Sequence, residues 1–144
     1  VVQAIVAGVE DEGETARLIR VPHTSDCAFV GATGSNMSGS GVAIGLQAKG
    51  TAVIHCRYMP PLSNLELFSQ APNLDLDTYR QIGRNAARYA RKENITPVPV
   101  KVDNTARLRL IVQTTLMHLR STGMVDQSGE VVELRIKDTE ECHG

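Results

Sequence analysis

The double proline Pro60-Pro61 constrains this chain more than any other feature. Neither proline can donate a backbone hydrogen bond, and each disfavours helical geometry in the residue before it. No helix or interior strand therefore runs through that point. The pair sits inside residues 38–68, SGSGVAIGLQAKGTAVIHCRYMPPLSNLELF, between a glycine–serine turn with two strand-like runs and the segment Leu62-Ser63-Asn64-Leu65. Val42, Ile44 and Leu46 alternate as in a strand with one buried face. Residues 51–55 (TAVIH) make a second strand, and Lys49-Gly50 turns one into the other.

Before this stretch, Val2, Ile5, Val6 and Val9 fall at i, i+3, i+4 and i+7, one face of a helix that Gly13 can stop. A strand rich in β-branched residues is the weaker alternative there. Glu10, Asp11 and Glu12 would stand at the negative end of the helix dipole, so something else must favour that end. Residues 16–21 (ARLIRV) read as a short strand ended by Pro22, and Thr24-Ser25-Asp26 as a turn. Residues 27–30 (CAFV) read as a buried strand, followed by a turn through Gly34-Ser35-Asn36.

After the prolines, Asp75 and Asp77 are candidate helix caps, and Tyr79, Ile82, Ala86 and Ala90 form an apolar stripe. Arg80, Arg84 and Arg88 repeat at i, i+4 and i+8, while Gly83, Ala86 and Ala87 would let a neighbour approach closely. Pro97 and Pro99 mark a connector, residues 105–121 a second helix stopped by Gly123, and residues 124–136 a terminal hairpin around Asp126-Gln127-Ser128-Gly129. The expectation is an α/β fold in one domain over residues 1–144: a single mixed β-sheet flanked by helices, with a C-terminal helix and hairpin extension.

Several function classes are disfavoured. A net charge of -1 is wrong for a surface that seeks nucleic acid or anionic membrane, and 3% aromatics without Trp give no stacking platform. No apolar run approaches the roughly 18 residues of a membrane span, and the first residues lack the basic region of a signal peptide. Cys27, Cys56 and Cys142 are odd in number and widely spaced, which suits free thiols in a reducing cytoplasm. His23, His55, His118 and His143 show no metal-ligand spacing, and adjacent His55 and Cys56 would point to opposite faces of a strand. Ser38-Gly39-Ser40-Gly41 has neither P-loop nor dinucleotide spacing; it reads first as a tight turn and second as an anion cradle. The arginine stripe reads as a solvated face or a subunit contact. Lys49 is a compact charge in a glycine-flanked turn, which suits a single phosphate, although an exposed turn lysine is the ordinary reading.

ARLIR, SDCAFVGATGSNMSGSGVAIGLQAKGTAVIH, PPLSNLELFSQAP and TYRQIGRNAARYARKE occur in this order, and together they resemble the medium (β) subunit of adenosylcobalamin-dependent diol and glycerol dehydratases, from the first helix to about Ile136. The resemblance implies a cytoplasmic, bacterial, heteromeric lyase. Its large subunit carries the substrate and the radical chemistry, and its medium subunit closes over the nucleotide side of adenosylcobalamin. Large and small dehydratase subunits and a reactivating factor are the implied partners, and the medium subunit has no catalytic residues of its own. By matching positions, Lys49 stands near the nucleotide phosphate, Leu62, Ser63 and Asn64 line the nucleotide tail, and Arg107 reaches toward the same region. Ser69 takes the place of a proline in the family's pattern, and residues 55–59 (HCRYM) replace a His-Gln-Gln-Gly-Leu run. No D-x-H-x-x-G pattern occurs, so the cofactor is expected to keep its own base as lower ligand. Family members also carry a strand before the first helix, and often an extension linked to microcompartment targeting; this chain is expected to be a truncated or shortened relative. The small subunit of a dehydratase-reactivating factor, a chaperone-like protein of similar fold, is the competing reading.

Overall fold

The helical spacing at the start of the chain is realised as α1 (Val2–Asp11). There follow β1 (Leu18–Arg20), α2 (Cys27–Met37), β2 (Val42–Leu46), β3 (Ala52–Cys56), β4 (Glu66–Phe68), α3 (Leu76–Ala90) and β5 (Val132–Leu134). This computed structural model describes residues 1–69, 74–100, 121, 123, 125–126 and 128–135. The helix expected over residues 105–121 lies outside the described residues except at Ser121, which is helical, as is Gly123, the expected stop.

Helices and strands mix as expected of an α/β fold, but among the described residues the strands divide into two small sheets rather than forming the single mixed sheet expected. One is three-stranded, in the order β2-β3-β4; the other pairs β1 with β5; every pairing is antiparallel. The expected terminal hairpin takes a different form, because β5 finds its partner in β1, with Leu18 opposite Leu134. The turn before it forms locally, with the Gly129 amide donating to the Asp126 carbonyl at 3.1 Å.

Strand β3 lies between two helical layers. Ala52 and Ile54 are fully buried in one core with Ile5 of α1, Phe68, and Tyr79, Ile82 and Ala86 of α3. Val53 and His55 point the other way, onto Gly31 of α2. Both faces are covered, which explains why residues 51–55 read as a nearly continuous apolar run.

Residues 27–30 are the first turn of α2 rather than a strand, and Gly34-Ser35-Asn36 lie inside that helix rather than in a turn. Asp26 caps it, its carboxylate accepting from the amides of Ala28 at 2.8 Å and Phe29 at 3.4 Å. The buried residues of α2 are Cys27, Gly31 and Ser35, at helical spacing but small and partly polar. A Cβ on Gly45 would overlap the Cys27 carbonyl and Gly31, so the helix lies almost directly on the β2 backbone.

The α1–α3 seam is equally close. A Cβ on Gly8 would overlap the Arg80 carbonyl, and one on Gly83 would overlap the Ile5 carbonyl. The acidic end of α1 is balanced by α3. Arg80 and Arg84 bond Asp11 at 2.7 and 2.8 Å, and Arg88 and Arg91 bond Glu12 at 2.8 Å each. The arginine stripe therefore faces its own chain. No helix among the described residues is long and apolar enough to cross a membrane.

Candidate functional site

Lys49 sits in the turn that joins β2 to β3. The turn is closed by Gln47 N–H to Thr51 O at 2.9 Å and Gly50 N–H to Gln47 O at 2.8 Å. Gly50 takes φ 90, a left-handed value that favours glycine. Two side-chain bonds tie the turn to remote parts of the chain: the Tyr79 hydroxyl donates to Gly50 O at 2.6 Å, and Gln47 Nε2 donates to Ser25 O at 2.8 Å. Lys49 is partly exposed and makes no ion pair among the described residues. It is a cation on a fixed support with no carboxylate paired to it among the described residues.

Beside this turn, the Cys27 thiol donates to Gly45 O at 3.0 Å, with Thr51 O at 3.4 Å. Burial pushes its pKa up to about 12, the neighbouring Asp26 charge adds to this, and Lys49 opposes it. The thiol stays protonated at neutral pH, which removes it as a nucleophile. Ser69 follows β4 and is exposed at this same end, because Phe68 pairs with Ala52.

Leu62, Ser63 and Asn64 lie beyond the other end of β3, in the loop between β3 and β4. Leu62 is 74% exposed and Ser63 and Asn64 are partly buried. The loop is anchored at both ends, by Arg57 N–H to Gly41 O at 2.7 Å and Leu65 N–H to Ile54 O at 2.8 Å. Tyr58 beside the first anchor is 93% exposed at φ 73, a value that costs a bulky residue energy. The Arg57 guanidinium donates to the carbonyls of Ser35 (3.3 Å), Asn36 (3.2 Å) and Ser38, capping the negative end of α2 from the loop after β3. It gives the altered 55–59 run a structural role. The Ser38–Gly41 turn forms as expected, and the amides at its two ends are already used. The amides of Ser38, Gly41 and Val42 bond within the turn and to α2, and the Ser38 carbonyl faces Arg57.

The candidate residues thus form two groups. Lys49 and Ser69 stand at one end of β3, and Leu62, Ser63 and Asn64 at the other, separated by a strand whose four steps cover about 13 Å. Arg107 lies outside the described residues. The sequence reading missed the supports: Tyr79, Gln47 and Arg57, and the buried carboxylate of Glu66, which accepts from Asn85 Nδ2 at 3.1 Å and the Val98 amide at 2.8 Å. Among the described residues no cluster of His, Cys, Asp and Glu could hold a metal ion. A cleft of about 250 Å³ between α3 and residues 96–99 includes Arg84 and Arg88, both already paired with acidic side chains.

This is an α/β module that holds a lysine turn and a proline-led loop at the two ends of one buried strand. In fold it is similar to a solved structure described as glycerol dehydratase reactivase, with TM-score 0.62 and 22% identity over 68% of this chain and 85% of that one. It is also similar to diol dehydratase-reactivating factor, solved in complex with ADP and Mg2+, with TM-score 0.55 and 23% identity over 67% of this chain and 83% of that one. The dehydratase medium subunit family model matches residues 1–96, and the chain belongs to that family. The matched span includes Lys49, Leu62, Ser63, Asn64 and Ser69 but not Arg107.

Proposed function

We propose that this chain is the cofactor-holding medium subunit of an adenosylcobalamin-dependent diol or glycerol dehydratase, working with large and small subunits in a bacterial cytoplasm or a microcompartment within it. The observation that carries the reading is the family match over residues 1–96, which spans both the Lys49 turn and the Leu62–Asn64 loop. Adenosylcobalamin, when bound, supplies the radical chemistry that turns a vicinal diol into an aldehyde and water, and the large subunit carries the reacting groups.

The residues present suit the nucleotide end of such a cofactor. Lys49 offers an ammonium without an ion pair among the described residues for a phosphate, on a turn stiffened by Tyr79 and Gln47. Ser63 and Asn64 offer neutral donors and acceptors, and Leu62 offers exposed apolar surface. The separation of the two groups along β3 suits an extended ligand rather than a small compact one. Ser69 and Arg107 complete the proposed contacts, Ser69 as a polar wall beside Lys49 and Arg107 from the segment after the proline connector. The work of this chain is binding and orientation.

The test is reconstitution with the large and small subunits, followed by an adenosylcobalamin-dependent diol dehydration assay and a cofactor titration. Lys49→Ala should weaken cofactor affinity; unchanged affinity overturns the phosphate role. The fold likeness to the two reactivating proteins supports a second reading, a chaperone-like reactivating subunit. Co-purification with an ATPase-like partner, without dehydratase activity in the reconstituted complex, would favour that reading.

A further inference from the structure

Two prolines stiffen the lead-in to Leu62-Ser63-Asn64 but do not by themselves fix where those residues stand. His55 does more. Its side chain is 1% exposed, on the face of β3 that meets α2. Its Nε2 lies 3.3 Å from the Pro60 carbonyl oxygen, and a carbonyl can only accept, so Nε2 carries the proton and donates. Its Nδ1, then an acceptor, lies 3.3 Å from the Ser35 hydroxyl of α2, which donates its hydrogen to the Ala32 carbonyl at 2.8 Å. The same Pro60 carbonyl accepts from the Ser63 amide at 2.9 Å, closing the turn that presents Ser63 and Asn64. Among the described residues, no other side chain outside the loop bonds residues 58–64.

We infer that His55 is a positioning residue for this loop, tying the Pro60 carbonyl to the buried layer between β3 and α2 and thereby setting the pose of Ser63 and Asn64. Its consequence for a ligand rests on the proposed cofactor role; the tether itself does not. A buried histidine that only fills space would be indifferent to which ring nitrogen is kept.

Two substitutions separate those cases. In His55→Gln the amide nitrogen reaches the position of Nε2, and in His55→Asn it reaches the position of Nδ1. Two quantities are measured: hydrogen exchange at the Ser63 amide in the chain itself, and adenosylcobalamin affinity in the reconstituted complex. His55→Gln should keep Ser63 protection and cofactor Kd within about threefold of the parent, while His55→Asn loses about tenfold in each, the scale of one hydrogen bond. The Ile54 amide in β3 should keep its protection in both. Equal Ser63 protection in the two variants, or a uniform loss that includes Ile54, overturns the tether. Selective loss at Ser63 in His55→Asn with unchanged cofactor affinity upholds the tether and overturns the loop's contact with cofactor. If the parent complex binds no adenosylcobalamin, the functional reading fails, and the exchange comparison still decides the role of His55.

Discussion

Two parts of the molecule carry cations and use them in opposite ways. On the α1–α3 seam, four guanidinium groups in succession meet Asp11 and Glu12, the acidic end of α1. At the β2–β3 turn, Lys49 has no such partner among the described residues, and the bonds that fix its turn come from Tyr79 and Gln47. The comparison shows that a row of basic residues is weak evidence of a ligand. The arginines repeat at helical spacing because α1 ends in carboxylates that its own dipole disfavours. A single lysine without a counter-charge among the described residues, on a turn tied to remote parts of the chain, is the better candidate. Four substitutions and conditions test this contrast, ordered here by their cost to folding.

The largest cost belongs to the seam. In Gly83→Val the new side chain would overlap the Ile5 carbonyl, and backbone cannot yield as a side-chain tip can. Overpacking of this kind costs about 3 kcal/mol, occasionally more. Denaturant unfolding should show that loss or an unfolded chain; a cost below about 1 kcal/mol would mean that the helices separate easily and that the seam is not a rigid element.

Acid comes next. Hydrogen bonds from Arg80 and then Arg84 hold the Asp11 carboxyl well below its ordinary 3.8, and Arg91 and then Arg88 lower Glu12 from its ordinary 4.5. A carboxyl whose pKa is depressed on folding stabilises the fold fully above its unfolded value and loses that contribution as pH falls through the folded one. The melting temperature should therefore decline steadily below about pH 4.5. Asp11→Asn with Glu12→Gln should lower it at neutral pH and flatten the acid decline; an unchanged acid profile would place the acid-sensitive groups elsewhere.

The features that the sequence disclosed are those whose packing leaves a periodic apolar trace. Ile5 and its neighbours, Val42 to Leu46, and Tyr79, Ile82 and Ala86 each lay a hydrophobic face on the core, and each element forms where that pattern places it. Helix α2 leaves no such trace, because its buried face is Cys27, Gly31 and Ser35, and CAFV imitated a strand. Strand β4 is only Glu66–Phe68, too short for alternation to register. At the candidate site, Lys49 was legible because a lysine beside glycine between two strands marks a turn. Its supports were not, since Tyr79 lies 29 residues from Gly50 and Gln47 lies 22 from Ser25. The family resemblance named Lys49 and Asn64 together; the register of β3 with β4 is what sets Lys49 and Ser69 apart from Leu62, Ser63 and Asn64.

The remaining two substitutions bear on the turn. Tyr79→Phe removes one buried-end hydrogen bond to Gly50 O and should cost about 1 kcal/mol in denaturant unfolding. If Tyr79 also holds Lys49 in place, the same variant weakens cofactor binding by the reconstituted complex, although the tyrosine touches no ligand.

Lys49→Ala should cost least of all, under about 0.5 kcal/mol, because a partly exposed side chain with no ion pair among the described residues has little to lose on the folded side. The seam arginines set the contrast. Arg80→Ala leaves the Asp11 carboxylate with one guanidinium where it had two, so its effect is on stability and on the acid limb. Lys49→Ala should leave both unchanged and appear only when the cofactor is titrated into the complex. A Lys49 variant as destabilised as the Arg80 variant would mean that the lysine has a structural partner, and the distinction between the two regions would collapse. A variant neutral in folding and unchanged in cofactor affinity would keep the distinction but remove the phosphate from it, leaving the turn as a well-built hairpin with an idle charge. Only neutrality in folding combined with weakened binding fits a cation held free of its own chain for a ligand.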